Sequence, residues 1–213
     1  MMPITSNYPP LHNAQCLEIC GGIASGKTTL ATLLSRLFLA PINENFQANP
    51  FWEAFYADPF GTAFETEISF LLQHYHEIKV ATKHSNAFVC DFSLLLDLAY
   101  AQVTLDEGKL TAFTAVYREI RRELAAPDLV IHLVCDPEIE LERIRRRGRD
   151  VEQSITADYL DAINRALLEI LSKEASSLNT LTINSSTINF ADDETDKEAV
   201  LEAVRCRLAN IKK

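Results

Sequence analysis

Lys27 and Thr28 close the stretch Gly21-Gly22-Ile23-Ala24-Ser25-Gly26-Lys27-Thr28, which meets every fixed position of G-x-x-x-x-G-K-[ST]. Glycines allow the loop backbone to turn its N–H groups inward on a phosphate, and the start of a helix adds partial positive charge there. Lys27 would reach the β- and γ-phosphates, and the Thr28 hydroxyl would hold Mg²⁺. Thr29 continues the same face. The flanks suit the motif: Cys16 to Cys20 is a short β-prone run, and Thr29 to Phe38 has amphipathic helical spacing. The chemistry expected is therefore binding of a nucleoside triphosphate, ATP or GTP.

A second concentration of chemistry is Arg143, Arg145, Arg146, Arg147 and Arg149, crowded together with no lysine among them. Arginine forks grip phosphate oxygens bidentately, which lysine does not. Phosphoryl transfer needs positioning, charge neutralisation and exclusion of water, and a hinged arginine-bearing lid over about 143–153 would supply them. Gly148 gives that hinge conformational freedom.

The elements that must position these groups follow from alternation. Short β-prone runs at 16–20, 87–91, 129–135 and 180–184, with a weaker one near 40–43, are separated by helical patterns at 27–39, 50–57, 60–83, 93–105, 107–124, 137–147, 156–174 and 194–209. This is the signature of a parallel α/β sheet. Ligands of such sheets sit outside the carboxyl ends of the strands. That rule selects the P-loop, then Asn43-Glu44-Asn45, then Asp91-Phe92-Ser93.

Composition narrows the class. The 213 residues suit one domain, 16–213, after a polar, proline-containing flexible leader at 1–15 that has no apolar signal-like core. No run is long and apolar enough for a membrane span. Twenty Lys and Arg against 30 Asp and Glu leave a net charge of −10, which argues against a nucleic-acid partner. The five cysteines form no CxxC pair and suit a reducing cytoplasm, with Cys20, Cys90 and Cys135 expected as apolar strand residues.

With these residues in view the chain resembles the deoxyribonucleoside kinases of the deoxyadenosine, deoxyguanosine and deoxycytidine type, from about residue 16 to the C-terminus. Beyond the P-loop, the resemblance is carried by Glu44 to Phe51, by Phe55-Tyr56-Ala57-Asp58-Pro59 with Ala63-Phe64, and by Asp91-Phe92-Ser93 with Asp97. Its most specific stretch is Arg147 to Ile155 followed by Asp158-Tyr159-Leu160. It implies a P-loop NTPase-type five-stranded parallel sheet with helices on both faces, an arginine lid and a homodimer. It implies transfer of phosphate to a deoxynucleoside 5′-hydroxyl for nucleotide salvage. By the same resemblance Glu44 is the carboxylate that takes the hydroxyl proton, and Tyr56 and Glu152 bind the sugar 3′-hydroxyl. Asp91 lies near Mg²⁺, Arg143, Arg147 and Arg149 are lid arginines, and Glu67, His74 and Asp97 are base-side residues.

Three departures stand out. The arginine of the family's Glu/Asp-Arg-Ser motif is Phe92, the base-pairing glutamine is Glu67, and a base-side arginine is His74. An ionised Glu67 offers only acceptors and suits guanine's adjacent donors; a protonated one regains a donor and mimics glutamine. Like charge from Asp97 favours protonation, while a protonated His74 would hold both acids ionised. The expected acceptor is a purine deoxynucleoside, guanine slightly over adenine. Loss of the motif arginine leaves two alternatives open: a kinase for another small hydroxyl or a nucleoside monophosphate, and a non-catalytic nucleotide-binding protein.

Overall fold

The computed structural model of the chain describes residues 16–37 and 39–211; the expected leader at 1–15 lies outside the described residues. Five parallel strands form one sheet in the order β2-β3-β1-β4-β5: β1 (Cys16–Gly21), β2 (Ala40–Ile42), β3 (Phe88–Cys90), β4 (Leu129–Val134) and β5 (Thr180–Asn184). β1 is the centre. It pairs with β3 from Cys16 opposite Phe88, and with β4 from Leu17 opposite Leu129. Pro41, which cannot donate to a ladder, sits in the edge strand β2.

The period of two in the central strands sorts their side chains to opposite faces. Leu17 and Ile19 of β1, with Leu129, Ile131 and Leu133 of β4, pack with Leu30, Leu33 and Leu34 of α1 (Lys27–Leu34) and Val200, Leu201 and Val204 of α8 (Glu194–Ala209). Cys20 and Val130 face the other way. They meet Leu95, Leu96 and Ala99 of α4 (Leu94–Thr104) and Ile163, Leu167 and Ile170 of α7 (Ala157–Glu174). Further out on that second side, Phe88 joins Leu71 and Ile78 of α3 (Pro59–His84) and Phe113 and Ile120 of α5 (Glu107–Glu123). The remaining helices, α2 (Trp52–Ala57) and α6 (Pro137–Arg147), both send side chains to the cavity that the loop after β1 lines.

Helix starts follow local chemistry. Asp58 accepts from the Gly61 amide with Pro59 opening α3, Ser93 accepts from Leu95, Asp136 from Glu138 ahead of α6, and Thr156 from Tyr159. The first helix is shorter than the expected 27–39. It stops at Leu34 and tightens into a 3₁₀ turn at Ser35–Leu37, where the Ser35 hydroxyl donates to the Thr32 carbonyl and competes with the helical ladder. Two strand ends also differ. Asp91 has left β3, with its amide donating to the Ile42 carbonyl, and Cys135 lies just past β4, although it is buried as expected. Among the described residues no helix is long and apolar enough to cross a membrane.

Candidate active site

The order of the strands reverses about β1, and the cleft opens at the carboxyl ends of the strands there. It is a cavity of about 780 Å³ that runs from the loop after β1 to the middle of α3 and α4. Its floor is the P-loop. Gly21 and Gly26 adopt φ of 153° and 105°, and Ala24 takes φ 61°, a rare value for a residue with a side chain. Gly26 caps α1, so the amides of the first turn face the cleft. Ile23, Ala24, Ser25, Lys27, Thr28 and Thr29 line it.

The loop is braced from below. A Cβ at Gly22 would lie 2.2 Å from Glu140 Oε1 and 2.7 Å from Asn164 Oδ1, so only glycine fits over the buried Glu140 and its half-buried partner Asn164. Arg143, on α6, donates to the Ala24 carbonyl at 3.3 Å and to the Ser185 carbonyl beyond β5 at 2.7 Å. Lys27 Nζ bends over the loop and donates to the carbonyls of Gly21 (3.0 Å) and Gly22 (2.9 Å).

Opposite the loop, the segments after β2 and β3 are tied together: the Glu44 amide donates to Asp91 Oδ1 at 2.6 Å. Burial raises the Asp91 carboxyl, while the Thr28 hydroxyl and this amide pull it down. A hydroxyl and one carboxylate beside a phosphate-binding loop fit Mg²⁺, which is commonly held by one or two protein oxygens together with substrate phosphates. The Glu44 carboxylate stands at the cleft wall. Burial would raise its pKa, but His74, then Lys27 and Arg149, outweigh it and hold the carboxyl below its ordinary value.

The far end of the cleft is more buried. His74 Nδ1 lies 3.0 and 2.9 Å from the two Asp97 oxygens, and its Nε2 is 3.2 Å from Glu44 Oε1. The ring stacks on Phe92 with centroids 4.1 Å apart and planes 8° from parallel. Burial opposes its charge, yet Asp97 and Glu44 push the imidazole up to about 10. His74 therefore carries a proton at neutral pH and pairs with Glu44 and Asp97, not with Glu67. Glu67 accepts from the Thr104 hydroxyl at 3.2 Å, and burial followed by the Asp97 charge pushes it up to about 8. Of the alternatives open in the sequence, the geometry favours the protonated Glu67.

Tyr56, on α2, is half-buried and packs edge-on against Trp52 and Phe55. Burial, with Glu152 nearby, raises its phenol. Glu152 is buried in a short 3₁₀ turn (Asp150–Ser154). It accepts from Arg147 at 2.6 Å through Oε2 and from Arg149 at 3.1 Å through Oε1. The Arg149 guanidinium lies 4.0 Å over the Phe46 ring. Two of the expected lid arginines thus share the one carboxylate of the expected sugar-binding acid, which leaves the trio with a net positive charge, and α6 ends between them at Gly148 with φ 70°.

Every candidate residue except Gly21 and Gly22, which lie behind the loop, lines this one cleft. Two contributors were not anticipated. Glu140 beneath Gly22 is one; its i, i+4 spacing to Ile144 marks it as lying on the buried side of α6. The other is the ring of Phe92, which the sequence offers only as a missing charge. Phe190 is buried in the core against Gly26, and on α5 Arg118 and Arg122 are exposed while Arg121 is half-buried.

A parallel P-loop sheet with acids facing the loop defines a phosphotransferase of the nucleotide-binding α/β class. A model of the deoxynucleoside kinase family matches residues 17–209, and the chain belongs to that family, whose members are phosphotransferases acting on deoxynucleosides with a nucleotide phosphate donor. Among curated relatives, a deoxyguanosine kinase of Bacillus subtilis (strain 168) is 27% identical over 92% of this chain and 98% of its own. One of Lactobacillus acidophilus is 30% identical, with 92% of each chain covered. A deoxyadenosine kinase of Dictyostelium discoideum is 29% identical over 84% of this chain and 74% of its own. The fold matches a deoxyadenosine kinase from M. mycoides with bound dCTP at a TM-score of 0.77, with 21% identity, 90% of this chain and 100% of that one covered.

Proposed function

We propose that this kinase transfers the γ-phosphate of ATP or GTP to the 5′-hydroxyl of a purine deoxynucleoside, deoxyguanosine ahead of deoxyadenosine, in cytoplasmic nucleotide salvage. The observation that carries the proposal is the placing of Glu44 across one cleft from Lys27 and Thr28, with a buried polar pocket of Glu67, His74 and Asp97 behind it. Glu44 accepts the hydroxyl proton. The 5′-oxygen bonds to the γ-phosphorus as the bond from phosphorus to the β,γ-bridging oxygen breaks, and the electron pair leaves with the nucleoside diphosphate. Thr28 and Asp91 would hold Mg²⁺, which supplies charge neutralisation to the phosphates when bound. Lys27, Arg143, Arg147 and Arg149 neutralise the transferring group, the three arginines from the lid at about 143–153. Tyr56 and Glu152 hold the sugar 3′-hydroxyl between a donor and an acceptor.

A protonated Glu67 presents one donor and one acceptor, which match the O6 and N1–H of guanine or, turned over, the N1 and N6–H of adenine. Both purines fit that edge. The lean to guanine is supported by the names of the Bacillus and Lactobacillus relatives. A homodimer is part of the same proposal, supported by exposed apolar side chains on two helices that pack together, Leu72 and Val80 on α3 and Val116 on α5.

The test is monophosphate formation from each of the four deoxynucleosides with Mg²⁺ and ATP or GTP. Turnover with purines well above pyrimidines is expected, and a pyrimidine as best acceptor would overturn the base assignment. Sedimentation at micromolar protein should give twice the chain mass.

A further inference from the structure

His74 is placed unlike any other cation of the cleft. It is 2% exposed, it comes from the middle of α3, and it lies between two carboxylates that belong to different parts of the fold. Asp97, on α4, takes Nδ1 through both of its oxygens. Glu44, after β2, faces Nε2 at ion-pair distance, but the contact is not aligned as a hydrogen bond, so the buried Nε2–H has no directed acceptor. Both ring nitrogens face carboxylates, which carry no proton to give, so the ring's natural state here is the imidazolium. Phe92 fixes the plane of the ring by stacking at 4.1 Å, and Phe70 packs against it at 5.8 Å. Aromatic faces attract a cation, and neither phenylalanine competes for the ring nitrogens.

The arrangement has the parts of a positioning device. Asp97 anchors the ring, Phe92 orients it, and Nε2 stands 3.2 Å from the Glu44 carboxylate as an ion pair. The middle residue of Asp91-Phe92-Ser93 brings no charge to the cleft, and the nearest cation to Glu44 comes instead from α3.

We propose that His74, held as an imidazolium by Asp97 and stacked on Phe92, is the residue that positions the Glu44 carboxylate for the acceptor hydroxyl and supplies the positive charge that Phe92 does not. The proposal rests on Glu44 being the proton acceptor of the reaction. His74 keeps its own proton throughout and acts through Glu44. Other titratable and charged groups face this cluster: Glu67 and Glu77 from α3, Asp91 after β3, Glu18 from β1, Lys27 from α1 and Arg149 beyond α6. Most of them are acids, and they favour the charged ring.

Three forms of the full chain test it: wild type, His74→Gln and His74→Arg, with kcat and KM measured for deoxyguanosine and deoxyadenosine under saturating Mg²⁺ and ATP. Loss of the charge in His74→Gln should lower kcat about 10²-fold, the scale of one charge-stabilising group, while KM moves by less than about 3-fold. His74→Arg, planar, charged and able to stack, should recover most of the loss. A rise in KM at unchanged kcat would instead make His74 a base-binding residue and overturn the proposal. So would equal losses in both variants. A measurement on the wild type alone is independent of variant folding: ¹⁵N spectra of the His74 ring at pH 7.5 should show both nitrogens protonated, and a neutral ring would overturn the proposal. Glu44→Gln separates the two levels. If it retains turnover, the Glu44 assignment fails. If it is inactive while His74→Gln is not impaired, only the role of His74 fails.

Discussion

At the scale of single residues the cleft works by setting protonation states apart. Glu44 and Glu67 are both carboxylates within reach of His74 and Asp97, yet burial beside Asp97 raises one and His74 lowers the other. The raised one is expected to offer a purine a donor and an acceptor up to its titration near pH 8, and acceptors only above it. Glu67→Gln is the neutral amide counterpart, so the ratio of kcat/KM for the two purines at pH 7 should stay within about 3-fold of wild type. The two proteins should diverge as pH rises. KM for deoxyadenosine should climb in wild type between pH 7 and 9, where the acceptor-only carboxylate meets adenine N1, and remain flat in Glu67→Gln, as read from initial rates across that range. A large switch in purine preference at pH 7 would show Glu67 ionised in the working enzyme. The residue types of this pocket were legible in the sequence, but its charge states were not. Which acid His74 neutralises depends on a contact between α3, α4 and the loop after β2. Nothing local to Glu44, His74 or Asp97 records it.

At the scale of elements, what was legible is what short-range chemistry dictates. The P-loop follows from its own spacing, and α6 begins at Asp136-Pro137 and ends at Gly148 because a cap and a left-handed stop are written there. What was not legible is how α6 serves the P-loop: Glu140 lies under Gly22 and Arg143 over Ala24. Two glycines on either side of this joint should therefore fail differently. At Gly148, φ is 70° and an added Cβ meets nothing nearer than the Arg145 carbonyl at 4.0 Å. Gly148→Ala should thus lose only the left-handed preference, about 1 kcal/mol, or a fall in Tm of about 2–4 °C for a chain of this size. At Gly22 the Cβ would strike a buried carboxylate, and the loop itself must move. Gly22→Ala should lose about 1–3 kcal/mol by overpacking and also raise KM for ATP about 10-fold or more, since the amides that cradle phosphate shift with it. Thermal unfolding and initial rates on the two variants check the contrast, and an unchanged KM in Gly22→Ala would mean that the loop absorbs the methyl without moving.

At the scale of the whole molecule, the buried ionisable groups give stability an unusual slope with pH. Glu67 is raised to about 8, Glu140 to about 7 and His74 to about 10, and all three are at most 5% exposed. In each case the folded chain holds a proton that the unfolded chain releases at lower pH. Between the two values the native state binds more protons, so stability falls as pH rises. The contributions of Glu67 and Glu140 are complete only below the ordinary carboxylate value of 4.5 and are lost by about 8 and 7. That of His74 is complete below 6.5 and is lost by about 10. Glu44 acts in the opposite sense: its lowered pKa adds stability above 4.5 that disappears as pH falls through the folded value. The excess of acidic over basic residues reinforces the first trend, since a net charge of −10 at neutrality is relieved on moving toward acid. Tm should therefore be highest on the mildly acid side of neutrality and decline steadily from pH 6 to pH 9, by differential scanning calorimetry in buffers of matched ionic strength. Glu67→Gln should flatten the part of the decline below pH 8, and His74→Gln the part above pH 7. A Tm that rises over this interval would mean that these groups are not held protonated by the fold, and that the cleft is more open to water than its packing implies.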